Sequence, residues 1–179
     1  RKMAVKLARR NGAMFEEVEA EYIVTACATC ATMLKKEYPK ILGEKNTLFS
    51  GVMELGEFLV HRGYEPGGRG PAVTWHDPCH LRFAQGITRE PRRLISAVAE
   101  LREPSEAGRC CGGGGTFSLF HYELSRKIGE KRAALIEETG AGTVVTACPG
   151  CMLALSDVLG GKIEVLHLAD FLAKTADNK

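Results

Sequence analysis

The sequence predicts an α/β fold of two pseudo-repeated units, each with a mostly parallel sheet flanked by helices, the first unit being truncated at its N-terminus. Two observations support this prediction. Residues 6–30 align without a gap on residues 127–151, and both stretches end in Val-Thr-Ala-Cys-x-x-Cys. In each copy, apolar positions at helical spacing precede a short β-branched run that leads into the two cysteines.

The similarity resumes further along each copy, where residues 52–59 parallel residues 165–172. Each copy is therefore expected to form one structural unit. We assign residues 1–65 to the C-terminal part of the first unit, 66–71 to a linker rich in glycine and proline, and 72–179 to the complete second unit. Because the second unit carries cysteines ahead of its CxxC that the first lacks, we expect the chain to be a C-terminal piece of a longer protein.

The elements of the second unit follow from their periodicity. In chain order we predict a strand at 72–75, a helix through 117–135, a strand at 143–146, a helix at 152–159, a strand at 163–166 and a helix at 168–173. Trp75, Phe117, Phe120 and Tyr122 are expected to pack in the interior. Several motifs follow the carboxyl ends of strands, where open α/β sheets place their ligand sites.

Composition and charge exclude several classes of function. The chain carries 24 basic and 22 acidic side chains with no polybasic block, so nucleic-acid binding is not expected. No apolar run approaches the roughly 20 residues that a membrane-spanning helix needs, and no signal peptide is visible. We expect a cytoplasmic location, which is compatible with peripheral attachment at the inner face of the membrane.

All seven cysteines fall within motifs, which suggests metal binding in a reducing compartment. The motifs are Cys27-x-x-Cys30, Cys79, Cys110-Cys111 and Cys148-x-x-Cys151. A CxxC where a strand leads into a helix puts two thiols at the helix N-terminus, where the thiolate form is favoured. By itself this motif also suits zinc or dithiol redox chemistry.

The adjacent pair Cys110-Cys111 is followed by four glycines, Gly112 to Gly115. Glycines permit a tight bend and let backbone amides approach sulfur. Zinc sites are closed by four ligands, whereas the second unit offers five cysteines, one more than zinc or an ordinary cubane cluster uses. A cluster with unequal iron sites, bridged by sulfur, would use all five.

These motifs, headed by His76-Asp77-Pro78-Cys79-His80, resemble the cysteine-rich CCG domain. That domain occurs in heterodisulfide reductase subunits and in the iron–sulfur subunits of glycolate, lactate and glycerol-3-phosphate oxidoreductases. Residues 76–81 and 85–92 look most similar to the glycolate oxidase type, and residues 111–118 are similar to the lactate-utilisation type. The resemblance implies a [4Fe-4S]-type cluster, which can take a noncubane form, held by Cys79, Cys110, Cys111, Cys148 and Cys151.

The resemblance also implies a function. It suggests an electron-transfer subunit of a flavin-linked 2-hydroxyacid oxidoreductase, with a separate flavoprotein as partner and a ferredoxin-like segment upstream in the same protein. Two alternatives stay open: a heterodisulfide-reductase-like subunit that reduces a disulfide at its cluster, and a zinc-binding structural or assembly module. No acid/base set for hydroxyacid oxidation is visible, so no catalytic residue is assigned.

The remaining candidate residues have weaker signals. Cys27 and Cys30 are either half of a second metal site or a pair left free or disulfide-linked, and we favour the latter in this chain. His76 and His80 flank Cys79 and are expected to orient the turn rather than bind metal. Asp77 is expected to cap the turn before Pro78. The basic residues Arg89, Arg92 and Arg93 are expected to form a solvated helix end.

Overall fold

The computed structural model describes residues 2–43 and 47–177. The first unit contains α1 (Lys2–Val18), β1 (Ile23–Thr25), α2 (Ala28–Thr32), a π-helical turn (Met33–Glu37), α3 (Tyr38–Leu42), a 3-10 helix (Thr47–Gly51), β2 (Val52–Glu54) and α4 (Leu55–His61). The second contains β3 (Val73–Trp75), a π-helical turn (His80–Gln85), α5 (Arg89–Ser96), α6 (Phe117–Phe120), α7 (Tyr122–Glu137), β4 (Thr143–Thr146), α8 (Pro149–Leu159), β5 (Glu164–His167) and α9 (Leu168–Ala176). None of these described helices is long and apolar enough to cross a membrane.

The strands form two parallel sheets. In the first unit β1 pairs with β2, and in the second β4 lies between β3 and β5. Every residue of β4 is buried, as expected for the central strand of a parallel sheet covered on both faces. The predicted α/β fold with mostly parallel sheets is confirmed.

The two copies repeat the order of helix, strand and cysteine motif. Cys27 and Cys148 each precede a helix in extended backbone conformation, with φ and ψ of −150° and 112° for Cys27 and −145° and 117° for Cys148. The helical stretches that follow both end at a left-handed glycine, Gly43 in the first copy and Gly160 in the second. Such glycines are the usual C-terminal stop of a helix.

The helical stretch after Cys27 is less regular than its counterpart in the second unit. It passes through the π-helical turn at Met33–Glu37 before α3, whereas α8 is a continuous α-helix. Pro39 lies at the start of α3 and has no N–H to donate to the carbonyl one turn earlier. The π-helical turn accommodates that missing hydrogen bond.

The predicted helix through 117–135 is wrong in one respect. It is broken at His121, whose φ of −132° and ψ of 47° are not helical, so that α6 and α7 are separate. The helical spacing of apolar residues in the sequence continues across this point, but the backbone does not. Phe120 is 79% exposed and Tyr122 is 45% exposed, so neither packs in the interior as predicted.

One hydrophobic core joins the second sheet to its helices. Trp75 is completely buried in it, as predicted, together with Leu94, Ile136 and Leu155. Ala28 of the first unit also belongs to this core. The two units therefore share packing at the point where the first CxxC lies.

Side chains at equivalent positions of the two copies, Glu54 and His167, cap the helices that follow β2 and β5. The Gly56 N–H donates to Glu54 Oε2 at 2.7 Å, and the Ala169 N–H donates to His167 Nδ1 at 3.1 Å. Glu54 is completely buried, and its Oε1 has no hydrogen-bond partner among the described residues. Burial raises the pKa of the Glu54 carboxyl to about 7, although hydrogen bonds from Gly56 and Glu57 oppose the rise.

This buried carboxyl makes stability depend on pH. Between its ordinary pKa of 4.5 and about 7, the folded protein keeps a proton on Glu54 that the unfolded chain has lost. Stability therefore falls as pH rises through that window. We predict that Glu54→Gln, which imitates the protonated acid, removes this decline and is more stable than the unaltered protein at about pH 8 by about 1–3 kcal/mol.

The prediction is checked by urea unfolding of anaerobic protein across this pH range. Glu17→Gln removes an exposed carboxylate of α1 and serves as the control for loss of one negative charge. An unchanged decline in the Glu54→Gln protein would show that another group is responsible.

Candidate metal centre

The second CxxC lies where β4 leads into α8. Cys148 is the N-cap of α8, Pro149 occupies its first turn, and Cys151 follows within the same turn. Proline is well suited to this position because its missing N–H would have no intrahelical partner. Cys148 and Cys151 are 6% and 4% exposed, so both thiols point into the protein.

Cys79 reaches the same end of the sheet from β3. The backbone pairing continues beyond β3, since the His76 N–H donates to the Val145 carbonyl at 2.9 Å. After Pro78, Cys79 immediately precedes the π-helical turn His80–Gln85. Cys79 is exposed, unlike the two cysteines of the second CxxC.

The third segment is the loop of Cys110 and Cys111. The Gly112 N–H donates to Cys110 Sγ at 3.3 Å, and the Ser125 hydroxyl donates to the Gly112 carbonyl at 2.9 Å. Gly112 has a φ of +84°, a conformation that L side chains rarely adopt. The bend turns Cys111 inward, where it is 3% exposed, and leaves Cys110 at the surface.

The three segments bring their sulfurs together. The ligand atoms of His76, Cys111 and Cys151 all lie within 4.8 Å of one another. Cys111 lies close enough to Cys110 and Cys151 for their thiols to shift its pKa. Cys148 lies equally within the influence of Cys151, and burial together with the charges of Cys111 and Cys148 raises the pKa of Cys79. All seven cysteines of the chain are free thiols, and no disulfide joins Cys27 to Cys30.

The cysteines of this cluster shift one another's pKa values in opposite directions. Interaction with the thiols of Cys110 and Cys151 holds the pKa of Cys111 far below its usual range, and interaction with Cys151 lowers the pKa of Cys148 to about 5. The same interactions raise the pKa of Cys110 and that of Cys151. A metal cation that binds these sulfurs would displace the protons they carry.

His76 adjoins the sulfurs but is oriented by Arg132. The Arg132 Nε–H donates to His76 Nδ1 at 3.1 Å, and Arg132 also donates to the carbonyls of Trp75 and Glu106. Because Nδ1 accepts a hydrogen bond, the imidazole proton lies on Nε2. A protonated Nε2 donates to sulfur rather than binding metal, so the geometry favours an orienting role for His76.

Arg132 supports the site from behind, a role that the sequence did not predict. It is completely buried, and that burial lowers its pKa. A signal was present in the sequence, because Arg132 is in helical phase with Gly129, Ala133 and Ile136, which are all buried. A charged residue in the middle of an apolar helix face needs buried partners.

The expected roles of Asp77 and Arg92 were wrong. Asp77 is 2% exposed and does not cap a turn. It accepts hydrogen bonds from Trp75 Nε1 at 2.7 Å, from Arg82 at 2.7 Å and from Arg92 at 2.9 and 2.8 Å. Although burial opposes ionisation, these donors hold the pKa of Asp77 below its usual range. Arg92 is thus not part of a solvated helix end but ties the Cys79 segment to α5.

The first CxxC lies beside the second rather than apart from it. The Ala28 N–H donates to the Ala147 carbonyl at 3.0 Å. The corresponding hydrogen bond from the second CxxC to the first unit cannot form. The residue aligned with Ala28 is Pro149, which has no N–H. Thr29 Oγ1 lies 3.6 Å from Cys148 Sγ and 3.3 Å from His80 Nδ1. Thr29 could not be identified from the sequence, since contacts between units leave no local pattern.

The two thiols of the first CxxC are arranged differently from those of the second. Cys27 Sγ accepts a hydrogen bond from the Cys30 N–H at 3.4 Å. Burial raises the pKa of Cys27 to about 11, so that its thiol keeps its proton at neutral pH. Residues 1–65 contain no further cysteine that could complete a metal site with Cys27 and Cys30.

The bend at Gly112 is predicted to tolerate no side chain. In Gly112→Ala the new Cβ would overlap the carbonyl oxygen of Ser125, besides placing alanine at positive φ. We expect this change to destabilise the protein by more than about 2 kcal/mol. Gly115→Ala is the matched control, because Gly115 also has positive φ but its Cβ would meet open space. Urea unfolding measures both, and equal costs would contradict a packed bend.

The chain resembles known proteins over most of its length. It is 33% identical over 174 residues to a subunit of fumarate reductase (CoM/CoB) from Methanothermobacter marburgensis, a match that covers 93% of this chain and 34% of that protein. It is 32% identical over 194 residues to a probable glycolate oxidase iron-sulfur subunit from Bacillus subtilis, covering 97% and 43%. Identity to lactate utilization protein A from Bacillus subtilis is 31% over 168 residues, covering 86% and 71%. The chain therefore spans less than half of the first two relatives.

The cysteine-rich CCG domain matches residues 1–35 and 73–156. These segments contain all seven cysteines, including the five that meet at the edge of the second sheet. The chain belongs to the family of the cysteine-rich CCG domain.

Proposed function

We propose that the second unit binds one iron–sulfur cluster through five cysteines and that the chain transfers electrons within an oxidoreductase. The proposed ligands are Cys79, Cys110, Cys111, Cys148 and Cys151. One observation carries the proposal: free thiols from three separate segments converge beyond the carboxyl ends of β3 and β4. The bound cluster would supply a one-electron redox centre.

The donor set fits iron and sulfide better than zinc. A structural zinc site closes with four ligands, and a fifth sulfur so close by would have no function there. The adjacent pair Cys110-Cys111 points one sulfur outward and one inward, which suits two different metal atoms. We therefore propose a [4Fe-4S]-type cluster in noncubane form.

The protein surrounds such a centre unevenly. Cys111, Cys148 and Cys151 are buried and exclude water from one side, whereas Cys79 and Cys110 are exposed. Electron exchange with a partner is expected to take place at the exposed side. Arg132 and His76 hold the buried side in place.

We further propose that the partner is the flavoprotein subunit of a glycolate- or lactate-type 2-hydroxyacid oxidoreductase. The names of two relatives support this proposal, since one is a probable glycolate oxidase iron-sulfur subunit and another a lactate utilization protein. In such a complex the flavoprotein would oxidise the substrate. A ferredoxin-like segment of the same protein would relay the electrons, and Cys27 and Cys30 would contribute to a second metal site.

A second candidate function is reduction of a disulfide at the cluster. The exposure of Cys79 and Cys110 would give a disulfide access to the centre. Reductive cleavage of an added disulfide by the dithionite-reduced chain, which uses two electrons from dithionite and two protons from solvent to give two thiols, separates this function from simple electron transfer.

The cluster assignment is tested by measuring iron, zinc and acid-labile sulfide in strictly anaerobic protein. We expect about four irons and four sulfides per chain. The Cys110→Ser, Cys111→Ser double variant should lose both. The matched control, Cys27→Ser with Cys30→Ser, should retain them, because these thiols lie outside the proposed ligand set.

Stoichiometric zinc without sulfide, even after attempted cluster reconstitution, would contradict the electron-transfer function and favour a zinc-binding structural module. Equal loss of iron in both double variants would contradict the five-cysteine assignment.

A further inference from the structure

Thr29 of the first unit contacts a proposed cluster ligand of the second. Its hydroxyl oxygen lies 3.6 Å from Cys148 Sγ, within hydrogen-bond distance for sulfur. The same oxygen lies 3.3 Å from His80 Nδ1, the residue after Cys79. The Thr29 hydroxyl therefore links the first CxxC to the segments that follow β3 and β4.

The position of Thr29 is fixed by hydrogen bonds and burial of the neighbouring residues of α2 rather than by its own side chain. The Ala28 N–H donates to the Ala147 carbonyl at 3.0 Å, and the Thr32 hydroxyl donates to the His80 carbonyl at 3.0 Å. Gln85 Nε2 donates to the Ala28 carbonyl at 3.1 Å. Ala28 and Ala31 are completely buried. Helix α2 is thus held against the second unit on both sides of Thr29.

Chemistry determines the direction of the hydrogen bond to sulfur. A cysteine sulfur bound to iron carries no proton and acts only as an acceptor. The Thr29 hydroxyl must then be the donor, and its oxygen remains able to accept from His80 Nδ1. The second CxxC has no equivalent group, because the residue aligned with Thr29 is Gly150.

We infer that Thr29 is a positioning residue that raises the reduction potential of the cluster in the second unit by donating a hydrogen bond to Cys148. This inference rests on the proposed function. Reduction adds one electron and makes the ligand sulfurs better acceptors, so a hydrogen bond stabilises the reduced form more than the oxidised form. The reduction potential of the cluster would then depend on how α2 of the first unit packs against the second unit.

The test is an EPR-monitored redox titration with dithionite as the electron donor. In Thr29→Val, which keeps the β-branched shape, we expect the ratio of reduced to oxidised cluster at a fixed potential to fall about tenfold, a shift of about 59 mV to more negative potential. Thr29→Ser restores the hydroxyl and should stay within about twofold of the unaltered protein. If the valine variant assembles no cluster, Thr29→Ala takes its place with the same expected fall.

The matched control is Thr139→Val, which removes a hydroxyl that bonds only to the nearby Ile136 carbonyl and Ala141 N–H and takes no part in the docking of α2. Its potential should be unchanged. An unaltered potential in Thr29→Val, or an equal fall in Thr139→Val, would overturn the inference while leaving the cluster assignment intact. Failure of the unaltered protein to bind iron and sulfide would instead overturn the proposed function and this inference with it.

Discussion

The parallel pairing of β3 with β4 is the constraint on which the candidate site depends. Trp75 is in register with Val145, and the pairing extends past β3 through the His76 N–H and through the Thr146 hydroxyl, which donates to the His76 carbonyl at 3.1 Å. Because the strands are parallel, the chain leaves both at the same edge of the sheet. Cys79 and Cys148 are therefore neighbours before any metal is bound.

Buried charges stabilise this edge. Arg132 and Asp77 are almost inaccessible to solvent, and each has several hydrogen-bond partners. An isolated buried charge would be costly, but one whose hydrogen bonds are satisfied holds its partners in a single arrangement. Arg132 orients His76 beside the sulfur of Cys111, and Asp77 fixes the segment that leads to Cys79. The site is thus organised by polar contacts behind the cysteines as well as by the cysteines themselves.

The parts of the fold that depend on local pattern could be predicted from sequence. The strand at 143–146 has the predicted bounds, and the repeat located helix, strand and motif in both units. The break at His121 could not be predicted, because residues 117–135 keep helical periodicity across it. Features that arise between distant segments were also out of reach. Thr29 and Cys148 are far apart in sequence, and their contact exists only because α2 packs against the second unit.

Five cysteines from three segments are proposed to share one cluster. Anomalous diffraction at the iron edge from anaerobically grown crystals tests this arrangement. We predict iron peaks enclosed by the sulfurs of Cys79, Cys110, Cys111, Cys148 and Cys151, with His76 Nε2 beside them and unbound. A single tetrahedral metal peak held by four of these cysteines, with the fifth sulfur turned away, would contradict it.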